Sequence, residues 1–124
     1  MKIEVSIGEI VDKLSILQIK TQFIKDEVKL ENIKKEFHYL YEIVFTELKT
    51  NHDDYLRLFE INKTLWVIED KLRDKERDKQ FDSEFIELAR SVYITNDVRA
   101  EIKKDINLKY GSLFVEEKSY SNYC

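Results

Sequence analysis

The chain contains no proline and only two glycines in 124 residues. An all-β domain needs a turn roughly every 8–12 residues, and glycine and proline supply many of those turns. A chain without them is held to a few long, uninterrupted elements. The α-helix tolerates both absences, because proline breaks its interior and glycine weakens it. An all-α fold follows, and the length suits a single helical domain spanning residues 1–124.

The apolar spacing divides the chain into four helices. Residues 2–5 alternate polar and apolar and read as a short strand. Ser6 followed by Glu9 is a capping box, which starts the first helix at Ile7. Its seam is Ile7, Ile10, Leu14, Leu17, Thr21 and Ile24, with Ile16, Ile19 and Phe23 on the opposite side. A helix apolar on two faces is either central in a fold or shared between subunits. Asp26 caps a second helix with the seam Leu30, Ile33, Phe37, Leu40, Val44 and Leu48. After a polar break at 49–53, the third seam is Leu58, Ile61, Leu65, Ile68 and Leu72, and the charged stretch 73–79 is expected in solvent. Asp82 or Ser83 caps a fourth helix with the stripe Phe85, Leu88, Val92, Ile102 and Ile106. Gly111 sits where a helix ends in the left-handed conformation. Residues 112–120 read as a second strand. Because lone strands are unstable, 2–5 is expected to pair with part of 113–118. The predicted architecture is an antiparallel bundle of about four long helices with a minor two-stranded ribbon at the termini.

Composition narrows the function. A net charge of −4 leaves no basic footprint, so no nucleic-acid partner is expected. No apolar run approaches the roughly 20 residues that cross a bilayer, and no membrane partner is expected. The opening Met-Lys-Ile-Glu-Val lacks the apolar core of a signal peptide, and the one cysteine, Cys124, forms no internal disulfide framework. Both point to the cytoplasm. There is no Gly-rich phosphate loop, no G-x-S-x-G and no H-E-x-x-H, and His38 and His52 match no ligand spacing. The seven Tyr and seven Phe fall at helical spacing and read as core, with Tyr120 and Tyr123 packing back on the helices.

Polar residues inside apolar stripes carry more information than those on solvated faces, because an unpaired buried charge is costly. Asn96 and Arg99 share the face of Val92. Arg99 stays cationic and calls for a carboxylate or phosphate, which makes it either an internal ion pair or an anion clamp. Asn62, Trp66, Glu69 and Arg73 line the edge of the third seam. Glu69 is expected to answer Arg99 across the helix interface, and Trp66 to anchor a core or an interface. Glu9 and Asp12 stand one turn apart, a spacing that can hold Mg²⁺ or Mn²⁺ if Glu69 and Asp70, or Glu116 and Glu117, join them. Against this, Glu9 is the partner in the capping box. Lys13 and Lys118 are further candidate anion contacts.

Four segments together resemble a family of small, functionally uncharacterised proteins of bacteria and their phages. They are Ser6-Ile-Gly-Glu-Ile-Val-Asp-Lys-Leu-Ser-Ile-Leu17, Asn62-x-x-Leu-Trp-x-Ile-Glu-Asp70 with Arg73, Leu88-Ala-Arg-Ser-Val-Tyr93 with Asn96-Asp-x-Arg99, and Val115-Glu-Glu-Lys-Ser-Tyr120. The resemblance spans nearly the whole chain. It implies that Glu9, Asp12, Lys13, Asn62, Glu69, Arg73, Asn96, Arg99, Glu117 and Lys118 belong to the motifs defining the group. It also implies an accessory role beside glycosyltransferase-like proteins. One departure is Glu27, where the pattern leads one to expect a proline opening the second helix.

Three functions remain on these residues. The first is a non-enzymatic protein-interaction or accessory module, homo-oligomeric, supported by the two-faced first helix, the aromatic content and the missing catalytic motifs. The second is an Mg- or Mn-dependent all-α nucleotide pyrophosphohydrolase-like enzyme built on Glu9 and Asp12, although the fuller paired acidic motif of such enzymes is missing. The third is a phosphosugar- or anion-binding accessory protein using Arg99, Lys13 and Lys118 with Asn62 and Asn96. The first is the preferred reading, with no cofactor and no catalytic residue.

Overall fold

Each helix begins where a short polar side chain can take a free backbone N–H. In the computed structural model, which describes residues 1–119, Ser6 Oγ accepts from the Glu9 N–H at 3.2 Å and starts α1, Ile7–Phe23. Asp26 Oδ1 accepts from the Lys29 N–H at 3.0 Å and starts α2, Glu27–Glu42. Asn51 Oδ1 accepts from the Asp53 N–H at 2.7 Å and starts α3, His52–Arg77. Asp82 Oδ1 accepts from the Phe85 N–H at 3.0 Å and starts α4, Ser83–Lys109. Each such cap is worth about 1 kcal/mol. Glu27 stands where a proline is expected, and α2 starts there all the same, capped by Asp26. Gly111, at φ +67°, ends α4, and the Ser112 N–H returns to Asn107 O at 2.8 Å.

The periodicity of α2 hides one feature. The helix continues as a π-helical turn, Ile43–Glu47, with Val44 fully buried inside it. Wider turns of this kind carry no side-chain signature that an apolar stripe would reveal.

The α1 helix packs against α2, α3 and α4, and α3 pairs with α4 as a long hairpin. Val11, Leu14, Val44, Tyr55, Leu58, Ile102 and Ile106 form the core. Ile19, on the second apolar face of α1, is also buried. Both faces of α1 therefore find cover within one chain, and α1 is the central helix. Phe23 stacks on Trp66 with ring centroids 5.5 Å apart, at the point where α1 ends. Beyond it α3 and α4 run on as a pair, and no residue between 66 and 94 is fully buried.

The terminal ribbon is a correction. Among the described residues there is no strand, and 2–5 and 113–118 are irregular. A two-stranded ribbon is marginal in water unless it packs on something, and Ile3 and Leu113 each remain about three-quarters exposed. The two ends meet through a hydroxyl instead: Ser112 Oγ accepts from the Ile7 N–H at 3.0 Å. The expectations for Tyr120, Tyr123 and Cys124 lie outside the described residues. No helix of the described residues is long and apolar enough to cross a membrane.

Candidate functional site

The close approach of α1 to α4 sets the site. Gly8 lies so near α4 that a Cβ there would fall 2.6 Å from Lys103 O. Its N–H donates to Asn107 Oδ1 at 2.6 Å, so a buried side chain of α4 serves one of the free amides of α1. Gly8 has no special backbone angle to explain it; space alone requires it.

One turn along α1, this approach places Asp12 against Arg99. Asp12 is 1% exposed. Arg99 grips it with two hydrogen bonds, one of them Nε to Oδ1 at 2.9 Å. Asn62 Nδ2 donates to Asp12 Oδ1 and to Ser15 Oγ, both at 2.8 Å, and Ser15 Oγ donates to Asp12 O at 2.7 Å. The hydrogen bond to Asp12 holds the Arg99 guanidinium above its ordinary pKa, against the opposing effect of burial. A planar guanidinium carries five donors, and two of them meet Asp12. The remaining edge, on a side chain 28% exposed, borders a cleft.

This cleft, about 90 Å³, lies on α4 and is lined by Asn96, Arg99, Ala100, Lys103, Lys104, Asn107, Glu116 and Lys118. Lys103 Nζ, mostly buried, bonds Glu9 Oε2 at 2.7 Å and Glu116 Oε2 at 3.4 Å. Burial pulls its pKa down, but Glu9 and the charges of Asp12 and Glu116 outweigh that and raise it. Lys104 Nζ meets Glu117 Oε2 at 3.2 Å. The segment after Gly111 is thus pinned across α4 by two ion pairs.

A second polar junction ties the start of α3 to the end of α4. Asp54 accepts from Lys109 Nζ and from the Tyr110 hydroxyl, both at 2.7 Å, and that hydroxyl accepts from the Asn51 N–H at 2.7 Å. Burial works to raise the Asp54 pKa, but the bonds from Lys109 and Tyr110 lower it below the usual carboxylate value.

The structure sorts the sequence candidates. Asp12, Asn62 and Arg99 come together in the buried network. Asn96, Arg99 and Lys118 border the cleft, and Glu9 and Glu117 hold its lysines. Lys13 lies outside this group, paired with Glu36 at 3.1 Å. Glu69 and Arg73 sit on the outer hairpin, 4.0 Å from one another, with Asp70 3.6 Å from Arg73. Arg99 is therefore answered by Asp12 and not by Glu69, because Asp12 reaches it from the central helix. The Glu9 carboxylate meets Lys103, so the capping box forms in one direction only, through Ser6. Among the described residues no group of three or more His, Cys, Asp or Glu could hold a metal ion. Sequence reasoning missed Lys103, Lys104 and Asn107, whose spacing is that of any solvated helix face. The one available signal was Gly8, since glycine in a first helical turn marks a close neighbour.

A model of the family of unknown function DUF6165 matches residues 1–123. No curated protein and no solved structure matches the chain.

Proposed function

The chain belongs to DUF6165, a family of unknown function, and we propose that it is a non-enzymatic accessory module that works by protein contact, as a homo-oligomer. The carrying observation is α4. Like α1 it bears apolar residues on more than one side, but only one side of α4 is covered. Ile86 and Tyr93 emerge on one flank of the buried stripe, and Ile94 and Val98 on another, with Ile86 55% exposed. Large apolar side chains exposed together on one helix mark a surface that a partner ordinarily covers. The occupant we assign is a second copy of the chain. The outer hairpin carries a close mixture of both charge signs, including Glu69, Asp70, Lys71 and Arg73 beside Glu84, Glu87 and Arg90. Two such hairpins related by a two-fold axis complete a four-helix layer, each rim meeting its own complement.

Analytical ultracentrifugation over a range of concentrations tests this reading. A dimer is expected for the unaltered chain, and a monomer of unchanged helicity for Ile86→Glu/Ile94→Glu. A strict monomer at high micromolar concentration overturns it. The resemblance supplies the setting of the proposal, an accessory in a bacterium or phage-infected cell beside a glycosyltransferase-like protein, and the N-terminal sequence and single cysteine support a cytoplasmic location. The competing Mg- or Mn-dependent reading requires Glu9 and Asp12 to leave Lys103 and Arg99 for a cation. Calorimetric titration with Mg²⁺ and Mn²⁺, followed by a nucleotide panel, decides between them.

A further inference from the structure

The geometry points to the α4 cleft as a binding site for a small phosphate monoester, held in place of the carboxylates that now occupy its lysines. Four cationic side chains, Arg99, Lys103, Lys104 and Lys118, border one cavity of about 90 Å³ with a single lining carboxylate, Glu116. Three of these cations are already held by carboxylates, Arg99 by Asp12, Lys103 by Glu9 and Glu116, and Lys104 by Glu117, so an entering anion competes for them. The cavity has room for a phosphate-sized group and a few waters. Asn96 adds an amide that can donate to an ester or hydroxyl oxygen.

The site is also built rather than merely charged. Arg99 is fixed by its two bonds to buried Asp12, so its outward edge has one orientation and loses little freedom on meeting an anion. Lys103 is anchored by Glu9 at 2.7 Å. The looser contacts are those from the C-terminal segment: Glu116 to Lys103 at 3.4 Å and Glu117 to Lys104 at 3.2 Å. A phosphate dianion brings about twice the charge of one carboxylate and three acceptor oxygens, so a single group can meet several of these cations at once. It therefore exchanges with the Glu116 and Glu117 carboxylates at these lysines. The charge is confined to one cavity on one helix, which suits a small ester and not the extended backbone of a nucleic acid.

Isothermal titration with inorganic phosphate and with glycerol phosphate tests this, alongside a short single-stranded oligonucleotide. One-to-one binding of glycerol phosphate is expected, weakening as salt rises. Lys104→Gln, at a half-exposed position that leaves the core intact, is expected to weaken it about tenfold, the loss of one charge-assisted bond. Glu116→Gln/Glu117→Gln is expected to tighten it several-fold by removing the competitor, a change that simple loss of structure does not produce. Absence of glycerol phosphate binding at millimolar concentration overturns the inference. So does binding that neither variant alters, or binding of the oligonucleotide alone. None of these residues lies among those tested for self-association, so either proposal can fail alone.

Discussion

At its root the α3–α4 hairpin buries Leu58, Ile102 and Ile106 against α1; at its tip, between residues 66 and 94, the same two helices bury no residue completely. The sequence pattern of the two halves is alike, an apolar stripe edged with charge. The difference lies in the third helix. Where α1 is present, an edge charge is taken out of water and must find a partner of fixed geometry, as Arg99 finds Asp12 and Asn62 joins them. Where it is absent, charges such as Glu69, Asp70 and Arg73 remain wet and pair loosely along one helix. Residues of the same type therefore carry different energies according to what lies opposite.

The sharpest way to break this comparison is to remove one arginine from each half. Arg99→Leu strands the Asp12 carboxylate in the core and is expected to cost about 3 kcal/mol in urea unfolding, in the range for breaking a buried pair. Arg73→Leu, on a side chain 68% exposed, is expected to stay within about 0.5 kcal/mol. Equal costs at the two positions would mean that α1 does not create the distinction.

Gly8→Ala gives the next largest effect, and its sign is diagnostic. Alanine favours a helix over glycine by about 1 kcal/mol where nothing opposes it, as at the tip. At the root the new Cβ meets Lys103 O at 2.6 Å, and backbone cannot step aside cheaply. Overpacking of that kind costs roughly 1–3 kcal/mol, so a net loss of about 1 kcal/mol is expected in thermal or urea unfolding. A gain would show that α1 and α4 stand further apart than the contact implies.

The comparison also explains what could be read from the sequence. Ser6, Asp26 and Asp82 were legible because a cap acts within three residues of itself, and Gly111 because a left-handed residue leaves a glycine. The two-faced character of α1 was legible from spacing, though not which neighbours would cover it. The need of Arg99 for a partner was legible from its place in a stripe, but the partner lies 87 residues away and no local rule selects Asp12 over Glu69. The cleft was least legible. Lys103 and Lys104 look like surface lysines until the segment after Gly111 is laid over them. The ribbon failed for a related reason, since alternation marks a strand only where a sheet exists to receive it.

The smallest expected effect concerns how the two halves unfold. Lys79, in the turn between α3 and α4, holds φ +54°, the conformation that Gly111 adopts at the other end of the hairpin. The turn is otherwise complete: the Lys79 N–H donates to Glu76 O at 3.1 Å and the Gln80 N–H to Lys75 O at 2.9 Å. Lys75 bridges Asp82 and Glu84 across it, pairs in which the Lys79 side chain takes no part. Lys79→Gly removes the crowding of Cβ in a left-handed residue, which outweighs the extra freedom that glycine brings to the unfolded chain. The net gain is expected to be about 0.5 kcal/mol. A tip that lacks buried residues opens before the root does, so the gain belongs to a local equilibrium. It should slow hydrogen exchange of backbone amides between 66 and 94 about twofold while leaving the urea midpoint of the whole chain nearly unchanged. A gain that instead moved the global midpoint in full would mean that tip and root unfold as one unit, and that the cover α1 gives the root is transmitted along both helices to their far end.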